Sequence, residues 1–96
     1  MKLISNRVLR EFAQVHADAE SPMQAWRKLI EKASCRNFAE LRATFASADK
    51  VGGRIVFNIG GNKYRLVAAV LFSVQQVFVK AVLTHADYDK IDVVSL

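Results

Sequence analysis

Hydrophobic positions change their period near the middle of the chain. Up to residue 45 they recur every three or four residues: Val8, Leu9, Phe12, Ala13 and Val15, then Met23, Trp26, Leu29, Ile30 and Ala33, then Phe38, Leu41 and Phe45. That spacing lines one side of a helix. It predicts a first helix from about Ser5, a second behind Ser21 and Pro22, and a shorter third after Asn37. Ser21, Pro22 and Gln24 form the start signal of the second, because Ser accepts from free N–H groups and Pro suits the first helical position. HADAE breaks the pattern between the first two, so His16 and Asp18 read as loop residues. From Val51 onward the positions alternate. In RIVFNI, Ile55, Phe57 and Ile59 face one way and Arg54, Val56 and Asn58 the other. GGNK is a turn, YRLVAAVLF is apolar on both sides like a central strand, and VFVKAVL is a further strand after SVQQ. MKLIS is short and alternating and could add an edge strand. The pattern predicts an α+β chain, with N-terminal helices packed on one face of a small antiparallel β-sheet.

Length and composition narrow the class. A chain of 96 residues that is 52% hydrophobic and 24% charged has enough apolar surface for one core, so a single domain over 1–96 is expected. Its balance of +5 and pI near 9.7 favours anionic partners. Cys35 is the single cysteine and has no internal disulfide partner, which fits a reducing compartment. No metal-ligand spacing surrounds it, and no apolar run approaches the ~20 residues of a membrane span. A cytoplasmic protein without metal, cofactor or membrane attachment is expected.

Register decides which polar residues meet. If the hairpin closes with Gly61 and Asn62 at its tip, Asn58 stands opposite Arg65. If the next connection runs from Phe72 to Val77, Lys80 falls opposite Ala69 and Thr84 opposite Arg65. Asn58, Arg65, Lys80 and Thr84 would then share a basic face with His85 at its rim. Thr84 can cap a short helix through Asp87, and in that helix His85, Tyr88 and Asp89 lie on one side. Cleaving RNA without metal requires a base for the 2′-hydroxyl, a cation for the charged phosphorane and a proton donor for the leaving oxygen. Imidazole, guanidinium and phenol suit those tasks.

FNIGGNKYRLV (57–67) followed by THADYDKID (84–92) resembles the HigB-type toxins of bacterial toxin–antitoxin systems, a branch of the RelE superfamily of mRNA interferases. RVLREFAQVHADAE and Trp26 are similar to that family's opening helices, so the likeness covers nearly the whole chain. Leu83 stands where the family often has Gly, and Ala17 where it often has Pro. The resemblance implies a RelE-like fold and a metal-independent endoribonuclease that cuts mRNA, commonly on the translating ribosome, leaving a 2′,3′-cyclic phosphate. It also implies a partner antitoxin, often a HigA-like helix-turn-helix protein; the net charge of +5 suggests an acidic antitoxin segment covering the basic face. Carried over by position, it assigns catalysis to Arg65, His85 and Tyr88, and RNA or phosphate binding to Asn58, Lys63, Lys80, Thr84 and Asp89. General acid and base stay undivided among His85, Tyr88 and Lys80. The rival expectation is a fold relative that does no chemistry and binds a protein such as a topoisomerase, or a plain RNA- or ribosome-binding module.

Overall fold

The computed structural model describes residues 1–4 and 6–96, so the first helix's expected start at Ser5 lies outside the described residues. Strand β1 (Lys2–Ile4) is followed by helices α1 (Arg7–Val15), α2 (Glu20–Lys32) and α3 (Phe38–Thr44). Then come strands β2 (Asp49–Val51), β3 (Arg54–Ile59), β4 (Tyr64–Leu71) and β5 (Gln76–Thr84), and a one-turn helix α4 (His85–Tyr88). The five strands form one sheet in the order β1-β5-β4-β3-β2. The meander from β2 to β5 is antiparallel, and β1 joins its β5 edge in parallel, which makes the sheet mixed. β4 is the middle strand, in keeping with its two apolar faces.

The helices cover one face of the sheet. Leu9, Met23, Trp26, Ile30 and Leu41 meet Ile55, Phe57, Leu66 and Val82 there, with Phe57 edge-on to both Trp26 and Phe45 at ring separations of 5.3 and 5.1 Å. Each such large side chain contributes about 1.5–3 kcal/mol on burial. Two apolar positions expected inside point outward: Val15 is 78% and Leu29 47% exposed. Helix α2 begins at Glu20, directly after a 3₁₀ turn at Ala17–Ala19, so Ser21 lies inside the helix and caps nothing. Asn37 does cap α3, its side chain accepting from the Glu40 N–H at 2.9 Å.

The opposite face is partly covered as well. Val56 and Val67 are buried beneath Val93, with Leu83, Tyr88, Ile91 and Leu96 packed around them. The C-terminal segment therefore closes part of the face expected to be open, leaving the region around Asn58 and Arg65.

β-Strand register agrees with expectation in one hairpin and departs from it in the next. Across β3–β4, Ile59 pairs with Tyr64 and Asn58 with Arg65, and Gly60 and Gly61 in the turn hold φ of 64° and 68°, which other residues adopt at a cost. Across β4–β5, Leu71 pairs with Gln76 after a 3₁₀ turn at Phe72–Val74, with Gln75 left-handed at φ 56°. Lys80 then falls between Val79, opposite Ala68, and Ala81, opposite Val67. It is the extra residue of a β-bulge, so it has no partner and does not face Ala69. Thr84 consequently pairs with Tyr64 rather than Arg65, and Leu83 takes the place beside Arg65.

Candidate active site

Two strands and a helix bring the polar residues of the second face together. Arg65 on β4 and its cross-strand neighbour Asn58 on β3 open into a cavity of about 350 Å³, closed by Tyr88 from α4, Arg42 from α3, and Ser47 and Asp49 at the start of β2. Tyr88 is placed by its helix's own capping. The Thr84 side chain accepts from the Asp87 N–H at 3.2 Å, and the single turn that follows lays the phenol ring over Arg65. The Arg65 guanidinium carbon lies 5.8 Å from the ring centroid, within cation–π range. Its Nη1 is buried and has no hydrogen-bond partner among the described residues. A buried, unpaired donor on a charged group is costly, and an anion entering the cavity would relieve that cost.

His85 opens α4 and does not line the cavity. Its Nε2 is hydrogen-bonded to the Asn62 carbonyl in the β3–β4 turn. A carbonyl only accepts, so Nε2 carries the proton and Nδ1 is the nitrogen left to exchange one.

The remaining expected residues do not line this cavity. Lys63 is ion-paired with Asp18, which also accepts from the Tyr64 hydroxyl at 2.6 Å. The Lys63 ammonium and the Tyr64 hydroxyl hold the Asp18 carboxyl below its ordinary range, while Asp18 raises the pKa of both donors. Lys80 borders a larger, more apolar groove of about 470 Å³ between α1 and β5, with Val8, Phe12, His16 and Val82. That groove holds neither Arg65 nor Tyr88, so the smaller cavity is the one with phosphate chemistry. Thr84 acts as a cap, and Asp89 is exposed at the end of α4. The four polar residues expected on one face thus reduce to Asn58 and Arg65, because the bulge at Lys80 and the shifted register remove the other two.

Arg42, Ser47 and Asp49 were not anticipated. A signal for Asp49 exists in the Gly52-Gly53 pair: two glycines at a tight turn, Gly52 at φ 59°, imply a strand before them that pairs back onto Arg54–Val56. Arg42 and Ser47 have no comparable signature, since α3 and its connection reach the cavity only through the tertiary fold. Among the described residues no three His, Cys, Asp or Glu side chains converge as a metal-binding group, and no helix is long and apolar enough to cross a membrane.

The chain also matches known proteins. A family model described as HigB toxin, RelE-like toxic component of a toxin–antitoxin system, matches residues 19–91. The chain is 33% identical over 92 residues to the mRNA interferase toxin HigB of Escherichia coli K12, covering 93% of this chain and 88% of that one. The mRNA interferase HigB of Shigella flexneri matches to the same extent. That of Escherichia coli O6:H1 is 28% identical over 94 residues, covering 95% of this chain and 91% of the relative. The chain belongs to the HigB family, the RelE-like toxic components of toxin–antitoxin systems.

Proposed function

We propose that the Arg65–Tyr88 cavity is where this toxin cleaves mRNA. The protein is a toxin with mRNA-cleaving, endoribonuclease activity and an antitoxin partner, as its family and the names of its relatives have it. The assignment of that chemistry to the cavity is carried by one observation, the buried and unpartnered Nη1 of Arg65 beside the Tyr88 ring. Arg65 holds the scissile phosphate and stabilises the charge that builds on it as the 2′-hydroxyl attacks in line. Asn58 orients the backbone from the neighbouring strand, and Tyr88 stacks on a base or protonates the leaving 5′-oxygen. His85 exchanges a proton through Nδ1. The products are a 2′,3′-cyclic phosphate and a 5′-hydroxyl. This residue set supplies a base, a cation and a donor without metal.

Cleavage on the translating ribosome and a HigA-like helix-turn-helix antitoxin follow from the likeness of the 57–67 and 84–92 motifs. A cytoplasmic site is supported by Cys35, a lone buried thiol.

The test is a primer-extension map of mRNA in cells briefly expressing the wild type, Arg65→Ala, Arg65→Lys and His85→Ala, at matched abundance and with melting checked. Wild type is expected to produce discrete new 5′ ends. Loss of the guanidinium should reduce them by about 10²–10³-fold, the usual effect of removing a transition-state donor. Lysine should restore little, because a point charge replaces a planar two-pronged donor. Growth arrest without new ends, or ends that persist in Arg65→Ala, would move the chemistry away from this cavity.

A further inference from the structure

The cavity holds a carboxylate for which phosphate binding has no use. Asp49 lines it beside Arg65, Asn58 and Tyr88, is exposed, and its side chain makes no ion pair or hydrogen bond among the described residues. Arg42 lies in the same wall and donates instead to the Ala46 carbonyl at 3.2 Å. A carboxylate repels phosphate oxygens and only accepts hydrogen bonds. The donors that RNA can offer it are base N–H groups and the 2′-hydroxyl.

Sheet geometry chooses between them. Asp49 pairs with Val56 across β2–β3, and Arg65 with Asn58 across β3–β4. The two positions are therefore two strand spacings apart, about 10 Å across the sheet, and offset along it by a further two residues. The attacking hydroxyl lies next to the phosphorus that Arg65 holds, whereas a base projects away from it. At that separation Asp49 is out of reach of the hydroxyl, whereas a base extending from the phosphate past Asn58, with the Tyr88 ring available for stacking, would reach it. A volume of about 350 Å³ is at the small end for ligand cavities, room for one nucleotide rather than a stack.

We propose that Asp49 is a specificity-determining residue that reads the Watson–Crick edge of one base beside the cleaved bond, and that this base is guanine. Guanine alone presents two adjacent donors, N1–H and N2–H, to the two carboxylate oxygens. Adenine and cytosine present one amino group next to a ring nitrogen that repels the second oxygen. Uracil presents one N–H between two carbonyls and is the base most strongly rejected. Asn58, with both a donor and an acceptor, is placed to meet the same edge. This inference rests on the cavity being the cleavage site.

The test is sequencing of new 5′ ends in cells expressing the full chain as wild type, Asp49→Asn, Asp49→Ala and Arg65→Ala, at matched abundance. Asp49 is exposed and has no side-chain hydrogen bond or ion pair to lose among the described residues, so both of its variants should melt like wild type. Wild-type ends are expected to be enriched in guanine at one fixed position beside the cut. In both Asp49 variants the guanine-to-uracil ratio there should fall by about tenfold or more, the discrimination that one two-pronged base contact supplies, while cutting stays well above the Arg65→Ala level. An unchanged base distribution, or a wild type without guanine enrichment, would overturn the assignment and leave the nuclease reading standing. Uniform loss of cutting in Asp49→Asn, down to the Arg65→Ala level with normal melting, would also overturn it, by placing Asp49 at the reacting hydroxyl. A wild type that makes no ends at all would overturn the cleavage reading itself, and the base assignment with it.

Discussion

At the scale of single residues, Tyr88 combines two functions that substitution can separate. Its ring packs among Val56, Val67 and Val93 and lies over Arg65, while its hydroxyl gives the cavity a phenol proton. Tyr88→Phe keeps the ring and removes the proton. If the phenol protonates the leaving oxygen, this variant should bind RNA like wild type and cut about 10²-fold more slowly, the lower end of what general acid catalysis contributes. Tyr88→Ala should additionally weaken RNA binding and lower the melting temperature, because it leaves Arg65 without its stacking partner and opens the small valine cluster. Rates and affinities measured separately for the two variants decide the matter. Equal cutting by Tyr88→Phe and wild type would leave the ring with a stacking role only and require another group to protonate the leaving oxygen.

At the scale of elements, the β3–β4 turn is held from both sides. Its Lys63 and Tyr64 bind Asp18 in the 3₁₀ turn before α2, and its Asn62 carbonyl binds His85 at the start of α4. His16 supports the same joint, stacked on Phe12 at 4.5 Å and tilted against Tyr64 at 5.6 Å. Asp18 is held below its ordinary value of 3.8 by the Lys63 ammonium and then the Tyr64 hydroxyl, so its contribution to stability is present above about pH 4 and lost as the pH falls through the depressed value. Lys63 and Tyr64 are raised above 10.5 and 10.0, so theirs is present below about pH 10 and lost at higher pH. Asp18→Asn should therefore melt below wild type between those limits, and the two melting curves should converge on acidification. A gap that persists once the pH lies below the depressed value of Asp18 would mean that the substitution disturbs the turn by shape and not by charge. This joint was not legible in the sequence, where His16 and Asp18 read as loop residues. Periodicity reports which side of an element is apolar, and it carries no information on which loop a distant hairpin tip will touch. The Asn58–Arg65 pair was legible because a tight turn fixes the register of the hairpin it closes. Thr84 and Lys80 were misplaced because a turn two residues off and one bulge each shift the register, and a one-residue slip moves a side chain to the other face.

At the scale of the whole molecule, the distribution of charge matters more than its total. Among the described residues, the Arg7–Glu11 and Arg27–Glu31 ion pairs run along α1 and α2, Arg36 reaches from just before α3 to Glu40, and Lys63 closes the joint with Asp18. Arg42 and Arg65 in the cavity wall are in none of them. Two arginines outside these pairs thus stand where RNA would enter. An antitoxin that silences the toxin by occupying that entrance would present acidic side chains to these arginines, and its attraction would be screened by ions. Affinity of the toxin–antitoxin complex should then fall steeply as salt rises from about 0.05 to 0.5 M, a span over which the screening length contracts from above 10 Å to a few Å. Arg42→Ala should flatten that dependence, since fewer charges are neutralised on binding. Calorimetry of the purified pair at several salt concentrations measures both. Affinity that is flat with salt would point instead to the groove between α1 and β5, where Val8, Phe12, Val15 and Val82 offer an apolar surface. Binding there is driven by area removed from water and is little weakened by added ions. An antitoxin seated in that groove would leave the Arg65 cavity open, and the complex would still bind a short RNA that the occluded form excludes.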